Sequence, residues 1–293
     1  SDVYKRQILM CCMAIQSVHA QDTPKWADKA KKAVFSIVTY DKENKIKNTG
    51  NGFYINNNGT ALSDYSLFED AERAVIINAD GKELPVTRIA GANSMYDVIK
   101  FRTETEKKIT ALKVATQPAA VGETVYLLPY STQKAATCQT GKVTQVDTIA
   151  DKAYYYTLTM TTSDKTVSCP IMNANGEVLG LIQKSASEED KESYAIGASY
   201  GESLSISPLS ANDINLNKIG IAKALPETED QALVYLYMSS SQMDAKNYLA
   251  TLNDFLQAYP NSTEGYTRRA GYYMNIGDDE HNALAEADLK KAM

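Results

Sequence analysis

The sequence predicts a multidomain protein in which an all-β double β-barrel is followed by an all-α helical segment. Residues 33–206 hold many short runs rich in β-branched and aromatic residues, separated by Gly, Asn and Asp turns. This pattern is typical of small barrels and sandwiches. Helical periodicity is nearly absent there and begins at Gln231. Two successive groups of six strands in about 170 residues predict two barrels.

Composition restricts the partners. The chain has 293 residues, of which 44% are apolar and 23% charged, as in ordinary globular proteins. Its net charge is −6, without a Lys/Arg cluster, which argues against nucleic acid as a partner. The 19 tyrosines suit half-buried strands and a protein- or peptide-binding surface.

Residues 1–20 have the pattern of a secretion signal. Lys5 and Arg6 precede a short apolar core at Ile8–Ile15, and Ala20 offers a small residue for cleavage before Gln21. The apolar run is too short to span a membrane. The mature protein is therefore expected to be periplasmic or extracellular, and residues 21–32 are expected to form an N-terminal arm. A lipoprotein signal is a second interpretation.

Removal of that signal would leave few metal-binding or redox side chains. The mature chain would keep only Cys138, Cys169 and His281 of its cysteines and histidines. The two cysteines either form a disulfide or are buried thiols. They fall short of a metal site, and no cofactor is expected.

The first group of strands is predicted at 33–40, 50–55, 60–63, 74–77, 84–90 and 98–101. The second group is predicted at 124–128, 138–147, 154–160, 170–172, 178–182 and 193–199. The clearest local signal is the turn at Asn175-Gly176 between two apolar runs, because both residues tolerate positive φ and so favour a hairpin.

Eight short segments along this region form an ordered set of motifs: 50–55 (GNGFYI), 61–68 (ALSDYSLF), 79–83 (ADGKE), 97–101 (DVIKF), 121–125 (VGETV), 141–144 (GKVT), 165–172 (KTVSCPIM) and 194–197 (YAIG). Together they resemble trypsin-like serine proteases, most closely the HtrA/Deg type. Their order and spacing follow the family, whose fold is a double β-barrel. The resemblance thus covers residues 33–207.

The same resemblance implies a degenerate catalytic triad. Asp97 stands at the aspartate position, while Ser66 stands at the histidine position, or Tyr65 if the loop slips by one residue. Val167 stands at the serine position. Lys165, Ser168 and Cys169 replace the glycines that shape the oxyanion loop.

The histidine content of the chain bears on triad catalysis independently of any resemblance. A serine or cysteine triad requires an imidazole that takes and returns a proton, and no histidine occurs between Gln21 and Glu280. Catalysis of that kind is excluded from the barrels on composition. The remaining catalytic alternative is a Ser/Lys dyad of Ser168 and Lys165, which needs a buried lysine with a lowered pKa. Cys169 lacks a base.

The resemblance places Cys138 beside Cys169, which implies a disulfide between them.

The resemblance also suggests how the barrels bind. An extended chain is expected to bind the cleft by strand addition. Tyr65, Ser168, Tyr194 and Ile196 are the candidate contacts, with Val167 buried or half-buried and Tyr65 filling part of the vacated site.

Residues 208–230 are predicted to be a linker and 231–293 a helical segment. A first helix is expected at Ala232 to Ser239 and a second one with apolar residues at Tyr248, Leu252 and Phe255. The following residues resemble a tetratricopeptide repeat at Tyr266, Ala270, Tyr273, Ala285 and Leu289, with about three extra residues in the turn between its helices. An unrelated helical hairpin is the alternative. Further repeats are expected beyond Met293, because short solenoids lack stacking partners.

These observations support three functions. The leading one is a catalytically inactive protease homologue with repeats that bind protein or peptide. The second is an active serine endopeptidase with the Ser/Lys arrangement, and the third is a structural subunit of an envelope assembly.

Overall fold

Two closed six-stranded barrels form the body of the protein, as the sequence predicted. The computed structural model describes residues 23–105, 109–149, 153–183 and 191–293. Barrel 1 consists of β1 (Val34–Tyr40), β2 (Ile46–Tyr54), β3 (Thr60–Ser63), β4 (Arg73–Ile77), β5 (Glu83–Asn93) and β6 (Val98–Thr103). Its strands close in the order β1-β2-β3-β6-β5-β4, all antiparallel.

Barrel 2 repeats this arrangement. It consists of β7 (Thr124–Leu127), β8 (Gln139–Ile149), β9 (Ala153–Leu158), β10 (Pro170–Met172), β11 (Val178–Ile182) and β12 (Ser193–Gly197). Its order is β10-β11-β12-β9-β8-β7. The segment with the clearest hairpin signal lies here, because β10 and β11 are joined by the turn at 173–177 and pair through Pro170 and Leu181.

Alternation along each strand fills the barrels. In β1 the side chains of Phe35 and Ile37 are fully buried, and Phe53, Phe68 and Phe101 complete an aromatic core in barrel 1. Phe35 and Phe101 meet edge to face with ring centroids 6.2 Å apart, which is a favourable aromatic geometry. The apolar face that alternation predicts is therefore the one that the closed sheet buries.

The N-terminal arm is fixed to barrel 2. It contains α1 (Ala27–Ala30) and a 3₁₀ turn at Lys31–Ala33. The indole N–H of Trp26 donates to the carbonyl of Ala174 at 3.0 Å, and the ring packs edge to face on Tyr126. Asp28 accepts a hydrogen bond from the amide of Ala136. The arm thus rests on the β10–β11 turn.

Four helices follow the barrels after a connecting segment. That segment contains α2 (Ala198–Ser203), a 3₁₀ helix at Pro208–Asn212 and α3 (Ile214–Asn217). The helices are α4 (Glu229–Ser239), α5 (Ala245–Ala258), α6 (Thr263–Ile276) and α7 (Asp279–Ala292). Thr228, Asp244, Ser262 and Asp278 cap their N-termini through side-chain hydrogen bonds.

The connecting segment is docked onto barrel 1. The amide of Ile89 donates to Ala222, and the amide of Ala224 donates back to Ile89 at 2.7 Å.

The sequence placed about three extra residues in the α6–α7 turn, but Gly277 and Asp278 alone separate these helices. Gly277 allows the tight turn because its φ is +76°.

The predicted disulfide is not formed, since Cys138 and Cys169 are free thiols. Cys138 precedes β8 and Cys169 precedes β10, and β7 pairs with both of these strands. Two strand spacings amount to about 10 Å, beyond the Cα separation of about 4.4–6.8 Å that a disulfide requires. The sequence analysis was wrong to place these segments side by side.

The predicted signal at 1–20 lies outside the described residues. Within the described ranges, no helix is long and apolar enough to cross a membrane. The same part of the chain contains no cluster of His, Cys, Asp and Glu side chains that could hold a metal ion.

Candidate functional site

The structure brings Ser66 and Asp97 together. Ser66 lies in the 3₁₀ turn Tyr65–Leu67 after β3, and Asp97 directly precedes β6. The amide of Ser66 donates to Asp97 Oδ1 at 2.7 Å, and its hydroxyl donates to Asp97 Oδ2 at 3.0 Å. Asp97 has a φ of +48°, a left-handed conformation that Asp adopts more readily than most residues.

Val167 lies in loop 163–169, the second part of the connection between β9 and β10. Its side chain is half-buried, as expected. The loop is bound to barrel 1 by Asn51 of β2, whose side-chain amide donates to the carbonyls of Val167 at 2.9 Å and Lys165 at 3.1 Å. Asn51 is itself buried, and Ser63 donates to its carbonyl at 2.6 Å. Asn51 therefore joins the two barrels at this point.

Ser168 takes a backbone conformation that favours glycine. Its φ is +64°, and its amide donates to Ile182 at 2.9 Å. The side chain is fully buried, and among the described residues its Oγ has no hydrogen-bond partner. A serine in left-handed backbone is strained, and a buried hydroxyl without a partner costs about 1–3 kcal/mol.

Asp64 is a buried carboxyl beside this loop. It is 2% exposed, and within the described ranges its Oδ1 has no hydrogen-bond partner. Burial raises the pKa of Asp64 well above its ordinary value, and the negative charge of Asp97 raises it further. Desolvation disfavours the charged form, so this carboxyl is driven toward its neutral form.

The thiol and lysine of the loop have opposite environments. Cys169 is fully buried, and burial raises the pKa of its thiol to about 12, which disfavours a nucleophilic thiolate. Lys165 is exposed, whereas Ser168 is buried. A Ser/Lys dyad needs a buried lysine beside an accessible serine, and the exposures of these two residues are the reverse.

Of the four residues expected to contact a bound chain, only Tyr194 is exposed. Ser168 and Ile196 are fully buried and Tyr65 is 4% exposed. Ile196 is buried because α2 packs against the end of β12, where strand alternation alone would point it outward. The Tyr65 hydroxyl donates to Asn215 of α3 at 3.1 Å, so Tyr65 is bonded to the connecting segment rather than to loop 163–169.

Strand addition on β12 is also ruled out by its pairing. β12 is hydrogen-bonded to β11 on one side and to β9 on the other. Its exposed ring, Tyr194, stacks on Tyr155 with centroids 6.1 Å apart. The Tyr155 hydroxyl donates to Gln183, whose amide donates to the carbonyl of Tyr96, next to Asp97. Hydrogen bonds through Gln183 therefore connect the Tyr155–Tyr194 stack to the backbone next to Asp97.

The positions that resemble a tetratricopeptide repeat lie on α6 and α7. Ala270 and Ala285 are buried, Tyr266 and Tyr273 are half-buried, and Leu289 is 39% exposed.

An ion pair that the sequence analysis missed joins these two helices. The guanidinium of Arg269 forms two hydrogen bonds of 2.7 Å with Asp288. Asp288 is only 3% exposed, and the tyrosine rings of Tyr266 and Tyr273 flank Arg269.

Residues that sequence reasoning missed at the barrels are Asn51 and Asp64. Asn51 lies between two glycines in a strand, a hint of close backbone approach. No local signal marks Asp64, because an Asp after a strand is more often solvated.

The fold agrees with a comparison against protein families. Residues 50–181 match the family model of the trypsin-like peptidase domain. No curated protein matches the chain.

Solved structures give the same architecture. The chain is similar to the crystal structure of the serine endoprotease from Yersinia pestis, with a TM-score of 0.50 and 15% identity. The similarity covers 59% of this chain and 61% of that one, so this chain spans less than two thirds of the protease. At this identity the similarity shows the fold, a trypsin-like double barrel, and α4 to α7 follow it.

Proposed function

We propose that this protein is a catalytically inactive homologue of trypsin-like proteases that acts as a protein- or peptide-binding scaffold. The observation that carries the proposal is the contact between Ser66 and Asp97, where the resemblance implies a histidine and an aspartate. The Ser66 hydroxyl donates to the carboxylate at 3.0 Å.

A serine at this position cannot do the work of a histidine. General-base catalysis needs a group that accepts a proton near neutral pH and returns it to the leaving group. A serine hydroxyl is not such a base, and the chain offers no histidine between Gln21 and Glu280. The half-buried side chain of Val167 also has no nucleophilic atom.

Binding is the function that the retained parts support. The stacked rings of Tyr155 and Tyr194 present apolar faces with polar edges, a combination enriched at interfaces. The helical segment offers a second surface, where Tyr237 is 68% exposed on α4. We propose that α4 to α7 are repeats of the tetratricopeptide type, because small Ala270 and Ala285 are buried between packed helices.

The location is part of the same proposal. The signal-like pattern of residues 1–20 supports a secreted or periplasmic protein. A scaffold in that compartment would meet envelope or extracellular polypeptides.

A fluorophosphonate probe, which reacts with activated serines, tests the loss of catalysis. We expect no labelling of the purified chain under conditions in which trypsin is labelled fully. Labelling that disappears in the Ser168→Ala variant would overturn the proposal and favour an active endopeptidase.

Binding is tested separately with peptides selected from a random display library against the full chain. We expect the chain to select peptides, and affinity measured by calorimetry to fall about tenfold or more in either Tyr194→Ala or Tyr237→Ala, depending on which surface binds. A library that yields no specific peptide would contradict the scaffold function.

A further inference from the structure

A large cavity lies where the helical segment meets barrel 1. Its volume is about 730 Å³, within the range of small-molecule sites. Thr87, Arg88 and Arg102 of barrel 1 form one side, and Gln257 and Tyr259 at the end of α5 form another. The connecting segment at 224–227 forms the third side.

Three basic side chains of barrel 1 converge on this junction. Arg88 of β5 and Arg102 of β6 are directly opposite each other in the sheet register. Lys100 lies two residues before Arg102 on the same face of β6 and lines an adjoining cavity of about 250 Å³, to which Arg102 also contributes. Like charges placed directly opposite on neighbouring strands destabilise a sheet, so this arrangement calls for a counter-charge.

The described residues supply that counter-charge only in part. Arg88 forms an ion pair with Asp254 of α5, in which its Nε donates at 2.8 Å. Lys100 donates to the backbone carbonyl of Glu202 at 2.8 Å. Within the described part of the chain, the guanidinium of Arg102 has neither a hydrogen bond nor an ion pair.

Three carboxylates line the two cavities. Asp254 lines the larger one and is already paired with Arg88, Glu227 lines both, and Glu202 lines the smaller one. The side chains of Glu227 and Glu202 are exposed, so water screens their charge. Burial lowers the pKa of the Lys100 ammonium despite these carboxylates, and an added anion would offset that desolvation.

We propose that this junction binds the oxyanion group of a small molecule, a carboxylate or a phosphate, on Arg102 with support from Lys100 and Arg88. A guanidinium presents two parallel N–H donors that match either group. Apolar Leu225 and Pro226 and the polar side chains of Thr87 and Gln257 line the space beyond the oxyanion. The site is separate from loop 163–169 and does not depend on the function proposed above.

Calorimetry of the full chain with three probes tests the site: inorganic phosphate, succinate and the neutral analogue succinamide. We expect phosphate or succinate to bind and succinamide not to bind, and the better of the two identifies the oxyanion. Arg102→Ala should weaken that binding about tenfold or more, the loss of a charged bidentate contact. Arg102→Lys should restore it only in part.

Two further variants separate a built site from general attraction. Lys142→Ala removes the same charge from an exposed position on β8, and should leave the affinity unchanged. Glu227→Gln removes the opposing carboxylate from the cavity and should strengthen binding. The proposal is overturned if neither anion binds, if Arg102→Ala binds as the unaltered chain does, or if Lys142→Ala weakens binding as much as Arg102→Ala.

Discussion

The amide and the hydroxyl of Ser66 bind the two carboxylate oxygens of Asp97, at 2.7 and 3.0 Å. The backbone half of this contact depends only on the course of the 3₁₀ turn after β3, so any residue except proline could make it at position 66. The side-chain half uses the serine hydroxyl to satisfy an oxygen that would otherwise need another donor. The contact therefore holds the turn after β3 against the start of β6.

The buried carboxyl of Asp64 makes the stability of the protein depend on pH. Asp64 has a folded pKa above its unfolded value, because burial and Asp97 disfavour its charge. The stabilising effect of such a group is complete below the unfolded pKa and is lost as pH rises through the folded pKa. At pH 7 we expect the free energy of unfolding of Asp64→Asn, measured with urea, to be about 1–3 kcal/mol higher than that of the unaltered chain. The reason is that the asparagine amide can donate a hydrogen bond to Ser168.

The pH series provides the control for this variant. The stability advantage of Asp64→Asn should shrink as pH falls from the folded pKa toward the unfolded pKa of about 4, because protonation removes the buried charge of the folded state. It should be lost fully only below that value, where the carboxyl is neutral in both states. Asn also tolerates the φ of +48° at position 97. Asp97→Asn should therefore shift the pH at which stability is lost to a lower value, because it removes a charge that raises the pKa of Asp64. A difference between Asp64→Asn and the unaltered chain that is constant over pH would contradict this assignment.

The barrels were predictable because each strand carries its own signal. Along β1, buried Phe35, Ile37 and Thr39 alternate with half-buried residues, and the turns contain Asn and Gly. Errors arose where two segments had to be placed against each other. Cys138 and Cys169 are separated by β7, and Ile196 is covered by α2 as well as by the barrel. Neither fact is encoded near these residues.

The candidate site was predictable only as a set of positions. Motif order placed Ser66, Asp97 and Val167, but the burial of Tyr65 and Ser168 and the role of Asn51 depend on how the barrels meet. Asp64 shows this most clearly, because an Asp side chain is common on the surface and costly to bury, and the local sequence does not distinguish the two. Burial is a property of the packed molecule, not of the local sequence.

The turn at 173–177 gives a prediction with a matched control. Gly176 and Gly81 both have a φ of +77°, but a Cβ at Gly176 would lie 2.7 Å from Trp26, whereas nothing lies within 4 Å of one at Gly81. Gly81→Ala should destabilise by about 1–2 kcal/mol through backbone strain alone. Gly176→Ala should cost more, because the arm must also move.

Fluorescence reports on the arm directly, since Trp26 is the only tryptophan. Emission of native Gly176→Ala should shift to longer wavelength as the indole becomes solvated, while that of Gly81→Ala should not. Equal spectra for the two variants would show that Trp26 does not depend on this contact.

Thiol reactivity tests the corrected placement of the cysteines. Burial raises the pKa of Cys138 to about 11 and that of Cys169 to about 12, so at pH 8 both carry little thiolate. We expect iodoacetamide to modify half-buried Cys138 slowly and Cys169 only after unfolding, as measured by mass spectrometry of the two peptides. A disulfide-linked peptide pair from the unreduced protein would contradict the separation of these residues by β7.

Arg269 of α6 and Asp288 of α7 form an ion pair between the two helices. Arg269 donates two hydrogen bonds to Asp288, whose side chain is 5% exposed. Removing one partner leaves the other charge poorly compensated, so Asp288→Asn should destabilise the helical segment by about 3 kcal/mol. Lys290→Ala breaks the exposed pair with Glu286 one turn away in the same helix and should cost only about 0.5 kcal/mol. Circular dichroism at 222 nm during urea unfolding measures both, and similar losses in the two variants would mean that burial adds nothing to the Arg269–Asp288 pair.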